Sequence, residues 1–168
     1  MGGPVTEPAA RHIEPRAVAR DEIPKLLRWL DDRLRRGLRG RLRAEFPLSL
    51  SPAAASCHFV VEQGGRPVAH SMGFCVDARL ETRKLLRLGL ISLVYTEPSA
   101  RGMGLASRCV EACLEALRDR DRSLALLWSD RPNLYRRLGF RLSGTERVFR
   151  VKPTDLRGDD RLEFDLAG

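Results

Sequence analysis

Lysine is scarce in this 168-residue chain, aromatic residues make up only 6% of it, and cysteine is confined to Cys57, Cys75, Cys109 and Cys113. No apolar run approaches the roughly 18 residues of a membrane-spanning helix, so the composition excludes a helical membrane protein. Few rings also mean no aromatic-studded basic tract of the kind that stacks bases. The cysteines form no Cys-x-x-Cys pair and have none of the close histidine spacing of a zinc site. No metal is expected, and the thiols read as small core residues of a protein in a reducing, cytoplasmic setting. The opening residues MGGPVTEPAARHIEP lack the apolar centre of a secretory signal. Gly2 and Thr6 fit the loose myristoylation pattern with Pro4 inside it, but a plain flexible start is the simpler reading.

What is present suits one soluble domain: 43% hydrophobic and 31% charged residues, in a chain long enough to bury a single core. The net charge is +8 and is carried overwhelmingly by arginine. Acids are interleaved with these arginines, as in DEIPKLLRWLDDRLRRGLRGRLRAE, so solvated helix faces and an anionic small ligand are favoured over a nucleic-acid partner.

Along the chain, residues 1–10 read as a loose arm. HIEPRAVAR predicts a short first strand, and Ile23, Leu26, Leu27, Leu30 and Leu34 fall at helical spacing behind Pro24. Gly37 and Gly40 interrupt that helix, Leu38 to Phe46 predicts a second, and Pro47 to Ser56 a loop. The period then changes to that of strands. CHFVVEQ, the turn Gly64-Gly65 and RPVAHSMGFCVDARL predict an antiparallel hairpin, and KLLRLGLISLVYT a further long strand. Leu105, Cys109, Val110, Cys113, Leu114 and Leu117 line one helix face. LALLW predicts a short buried strand, RPNLYRRLGF a short helix closed by Gly139, and FRLSG with RVFRV a final hairpin. The fold class is α/β (α+β): a single domain over residues 11–153, with 154–168 a tail or added strand.

The turn between the long strand and the Leu105 helix carries the chemistry. Outward-facing amides of a glycine turn at a helix N-terminus make an anion site, because unpaired donors and the positive dipole end converge there. Glycine keeps any Cβ out of the approach. A Walker A loop would need Gly-Lys followed by Ser or Thr, and this stretch has no lysine. A dinucleotide fingerprint would need glycine where Ser107 stands, inside a βαβ unit. A strand-to-helix turn that holds no ligand is the competing bland reading.

Arg101-Gly102-Met103-Gly104-Leu105-Ala106 resembles the Arg/Gln-x-x-Gly-x-Gly/Ala segment of the GNAT superfamily of acetyl-CoA dependent acyltransferases, with Pro98 three residues ahead. Downstream, Tyr135-Arg136-Arg137-Leu138-Gly139-Phe140 resembles that family's Tyr-x-x-x-Gly-Phe. The resemblance spans roughly Cys57 to Lys152. It implies a GNAT-like, mostly antiparallel mixed sheet, flanked by helices, whose two parallel central strands splay apart. It implies that the amides of Arg101, Gly102, Met103, Gly104, Leu105, Ala106 and Ser107 hold the coenzyme A pyrophosphate. Backbone groups of Val94, Tyr95 and Thr96 would bond the pantetheine, and Tyr135 would protonate the departing thiolate. Many members carry an asparagine seven residues before the tyrosine; Trp128 stands there, with Asn133 two before Tyr135.

The implied activity is acetyl transfer from acetyl-CoA, the cosubstrate, to a primary amine of a small-molecule or peptide acceptor. A non-catalytic acyl-CoA-binding module on the same fold is the alternative. A homodimer is left open. For a general base the sequence offers Glu97 and Asp130 at the ends of the splayed strands, Glu62 and Asp77 on the hairpin, and His70, with His12 and His58 offering less. Each carboxylate reads first as solvated or salt-bridged, and His70 as a packed histidine. Ser107 and Ser129 have no His-Asp constellation around them.

Overall fold

The computed structural model describes residues 14–51, 54–79 and 85–144. The expectations for residues 1–10, Gly2 and Thr6 among them, for His12, for RVFRV and for residues 154–168 lie outside these.

Strand β1 (Arg16–Ala17) is followed by helices α1 (Ile23–Leu34) and α2 (Arg41–Glu45). Strands β2 (Ser56–Gln63), β3 (Arg66–Arg79) and β4 (Leu85–Thr96) then run antiparallel, and helix α3 (Leu105–Arg118) leads to β5 (Leu124–Leu126) and helix α4 (Pro132–Arg136). The five strands among the described residues lie side by side in chain order, every neighbouring pair antiparallel except β4 and β5, which are parallel. A parallel pair needs a crossover, and α3 supplies it.

Local chemistry explains these elements. Gly64 and Gly65 both have positive φ, 57° and 70°, the backbone a two-residue hairpin turn with the right twist demands. Pro24 sits in the first turn of α1, and Leu26, Leu27 and Leu30 bury the helix against Val60, Met72 and Leu93 on one face of the sheet. Fully burying each such side chain is worth roughly 1.5–3 kcal/mol. On the opposite face, Leu105, Cys109, Val110, Cys113 and Leu117 of α3 pack on β2, β3 and β4. Two glycines let α3 approach closely. A Cβ on Gly89 would lie 2.6 Å from Leu117 Cδ1, and one on Gly73 would lie 3.3 Å from Leu117 Cδ1 and 3.4 Å from Cys113 Cβ.

Three expectations are corrected. LALLW is not a buried strand: only Leu124–Leu126 pair, and Leu124 and Trp128 are exposed, because β5 has β4 on one side and no other strand among the described residues. FRLSG forms no strand as far as it is described, through Gly144. The acids of the first helix are not all solvated. Asp31 is buried, and its carboxylate accepts the amides of Gly40 (2.7 Å) and Leu42 (2.9 Å), so it caps α2 from α1. The thiols behave as expected: all four are free, Cys109 and Cys113 buried, Cys57 and Cys75 half-buried.

Candidate active site

β4 is built in two halves. Leu88, Gly89 and Leu90 pair with Leu124, Ala125 and Leu126 of β5, after which no residue of β5 meets β4. From Ile91 to Thr96 that edge has no strand partner among the described residues, and a wedge opens between the parallel strands. At the head of the wedge the β3–β4 register slips. Tyr95 faces His70 and Ser92 faces Met72, leaving Leu93 and Val94 opposite the single residue Ser71, a β-bulge. Leu93 takes φ of 50°, uncommon for any residue but glycine and a sign that surrounding contacts hold it.

Beyond the bulge the direction of each peptide group follows from two bonds. The Glu97 amide donates to Val68 C=O on the β3 side at 2.8 Å. Thr96 C=O accepts Arg101 Nε at 3.3 Å, away from β3. Antiparallel alternation therefore turns the peptide groups of Tyr95 toward β3 and those of Val94 and Thr96 toward the wedge. Thr96 Oγ1 is buried without a hydrogen-bond partner among the described residues.

A short 3-10 turn, Pro98–Ala100, carries the chain from β4 to the glycine turn. Gly102 and Gly104 have φ of 82° and 73°, and a Cβ on either would meet nothing within 4 Å. Their requirement is thus backbone conformation, with open space in front. The first bond of α3 runs from the Arg108 amide to Gly104 C=O; the amides from Gly102 to Ser107 have no acceptor among the described residues. No acid occupies the first turn of α3. Amides without an acceptor among the described residues, the positive helix end and Arg101 together have the chemistry that suits a polyanion.

Tyr135, in α4, is buried in one cluster with Ile91, Val110, Cys113 and Leu117, against which Val94 of β4 and Leu127 beyond β5 also pack. Its ring meets Phe140 edge-on at 5.9 Å. Burial raises the phenol pKa, the negative Asp130 adds to that, and the Ser129 hydroxyl and Arg131 oppose it. The O–H therefore keeps its proton through neutral pH.

The proposed bases fare differently. Glu62 is paired with Arg16, and Asp77 with Arg122. Glu97 accepts from Arg33 Nε (2.6 Å), Tyr95 Oη (3.1 Å) and Trp29 Nε1 (3.2 Å). Burial pushes its pKa up, but these donors outweigh that and hold it below the ordinary carboxylate value. Glu97 is thus a clamp joining α1 to the end of β4, beside a cavity of about 430 Å³ lined by Trp29, Arg33, Glu62, Arg66 and Val68. Asp130 is exposed and makes no hydrogen bond among the described residues. Among the described residues Ser107 has no histidine partner, and Ser129 Oγ accepts the Arg131 amide.

The histidines are not isolated. His70 is fully buried, with Nδ1 2.8 Å from Leu93 C=O and Nε2 3.1 Å from Nδ1 of His58, itself buried. A carbonyl only accepts, so His70 Nδ1 carries the proton, its Nε2 accepts, and His58 Nδ1–H donates. Burial lowers the pKa of His58 to about 4 and that of His70 to about 3. Both rings are neutral, and neither is a solvent-accessible base. The sequence reading treated these residues separately and missed the pair.

Comparison with known proteins places this geometry. An acetyltransferase (GNAT) domain model matches residues 16–143. Among curated proteins none matches the chain by sequence. Of solved structures, a predicted acetyltransferase from Clostridium acetobutylicum with acetyl-CoA superposes with a TM-score of 0.63 at 19% identity, over 85% of this chain and 97% of that one. A Trypanosoma brucei acetyltransferase gives 0.61 at 23% identity, over 83% and 98%. AAC(6')-Iy, in complex with the bisubstrate analogue CoA-S-monomethyl-acetylneamine, gives 0.65 at 12% identity, over 83% and 97%. With the family model covering most of its length, the chain belongs to the GNAT acetyltransferase family.

Proposed function

We propose that this protein is an N-acetyltransferase that moves the acetyl group of acetyl-CoA onto a primary amine by direct attack. The observation that carries the reading is the run of amides from Gly102 to Ser107 that have no acceptor among the described residues, at the head of α3 and beside the β4 edge that no described strand pairs. Those amides and Arg101 suit a pyrophosphate; the outward groups of Val94 and Thr96 suit the amide-bearing pantetheine. Acetyl-CoA supplies a thioester, activated toward attack at its carbonyl carbon.

The amine nitrogen bonds to that carbon, the carbon–sulfur bond breaks, and the coenzyme A sulfur leaves with its electron pair. Tyr135 donates its phenolic proton to the sulfur; a thiol pKa near 8.5 makes this a modest demand. An outward amide of the bulge polarises the carbonyl oxygen. Glu62, Asp77 and Glu97 are held in ion pairs, so the amine delivers its proton to water, with Asp130 the candidate carboxylate near Tyr135. Free thiols among the described residues suit a cytoplasmic enzyme.

Calorimetric titration with coenzyme A and acetyl-CoA tests the cofactor, and thiol release across a panel of primary amines tests turnover. Saturable binding with no thiol release on any amine would favour a non-catalytic module. Absence of binding at millimolar concentration would remove the reading altogether. Tyr135→Phe is expected to bind acetyl-CoA within twofold of wild type while losing about 100-fold in kcat; unchanged turnover would remove the acid assignment alone.

A further inference from the structure

The His58–His70 pair is polar, fully desolvated and unused by the chemistry above, yet it ends on the backbone atom that defines the bulge. Leu93 C=O, at the bulge, accepts from a side chain of the neighbouring strand. We propose that His70, oriented by His58, is a positioning residue that locks the β4 bulge in register and so aims the peptide groups of Val94 and Thr96 at the acyl-pantetheine arm. The proposal rests on the cofactor reading.

Sheet geometry gives the reason. Without the bulge, Leu93 would pair in the regular ladder with a β3 residue, and every residue after it would move by one position. A one-residue slip exchanges inward and outward groups. Val94 and Thr96 would then turn to β3, and Leu93 and Tyr95 to the wedge. Holding the bulge requires a donor for the Leu93 carbonyl, since a buried carbonyl left unmatched is costly. His70 Nδ1 supplies it. The Leu93 carbonyl fixes the proton on Nδ1, for a ring with its hydrogen on Nε2 would set a lone pair against the carbonyl lone pairs, and the Nδ1–H of His58, donated to Nε2, holds the ring in that tautomer and orientation.

A second slip makes the pair itself. Between Glu62 and Val61 the β2–β3 register shifts, so that Val60 faces His70 and His58 faces Met72. The two histidines thereby stand two positions apart on one face, within reach of each other.

Two measurements test this. Two-bond proton–nitrogen NMR on the wild-type protein should show His58 and His70 both neutral with the hydrogen on Nδ1; a hydrogen on Nε2 of His70 would overturn the proposal. Calorimetry should then show His70→Leu binding acetyl-CoA at least tenfold more weakly, and His70→Asn within about threefold. The asparagine amide can stand in for the Nδ1 donor, so rescue separates positioning from bulk packing. A His70→Leu protein with a native near-ultraviolet spectrum and wild-type affinity would overturn the proposal. If that variant does not fold, the tautomers and His70→Asn decide, and loss of acetyl-CoA binding in His70→Asn counts against it. Failure of the wild type to bind acetyl-CoA would sink the cofactor reading on which the proposal rests, a result distinct from any change between variants.

Discussion

Lowering the pH from 7.5 to 5.5 should destabilise this protein through its two buried histidines. Both rings are neutral in the fold, with pKa values pushed down by burial to about 4 for His58 and about 3 for His70, the positive charge of one further disfavouring that of the other. In the unfolded chain each returns to its ordinary value near 6.5. A folded pKa below the unfolded one means that the unfolded state binds the extra protons. The stabilisation is therefore fully present above pH 6.5 and is lost as pH falls from there toward 4 and 3. Between pH 7.5 and 5.5 each unfolded imidazole gains about one logarithmic unit of proton binding that the fold cannot match. That is about 1.4 kcal/mol per ring and about 3 kcal/mol for the pair. Glu22, Glu45 and Glu97 have pKa values depressed below 4.5, so their contributions fade only at lower pH. Urea unfolding at the two pH values checks this: with a slope of about 1–3 kcal/mol per molar, the midpoint should fall by roughly 1–3 M. In a His58→Asn/His70→Asn double variant most of the fall should vanish. A midpoint that stays flat in the wild type, or an equal fall in the double variant, would refute the reasoning.

Gly104→Ala forces a side chain into φ of 73° with nothing around it to clash, so its stability cost is backbone strain of about 1–2 kcal/mol, read by urea unfolding. Because the same strain reorients amides at the head of α3, coenzyme A affinity by calorimetry should fall at least tenfold. Asp31→Ala strips the acceptor from the amides of Gly40 and Leu42, and should cost about 1–3 kcal/mol in the same unfolding assay, while Asp31→Asn keeps one acceptor oxygen and costs less. Cys57 should be the first thiol alkylated by iodoacetamide. The Cys113 thiol beside it and the positive Arg120 lower its pKa, whereas burial pushes that of Cys109 up to about 12. Peptide mapping of the labelled protein reads this, and preferential labelling of Cys109 would contradict it.

The sequence by itself determined the elements and the order in which they meet. Helical spacing from Ile23 to Leu34 and the Gly64-Gly65 turn are local signals, the first dictating its element through the burial of one face and the second through backbone geometry. The glycine turn was legible for the same reason: Gly102 and Gly104 sit where only glycine readily adopts a positive φ. Tertiary structure decided what those elements do together. Asp31 reads as one more charge on a solvated helix until α2 folds back to bring two amides to it. Glu97 reads as a free carboxylate at a strand end until α1 lays Arg33 and Trp29 beside it. His58 and His70 would fall on opposite faces in the register set by Gln63 and Arg66; the slip at Val61 puts them on one. No residue type announces that slip or the bulge at Leu93, because a bulge arises when packing on both faces of a sheet cannot be satisfied by one unbroken register. Spacing along the chain set which peptide groups could turn outward, and packing across the sheet chose the ones that do.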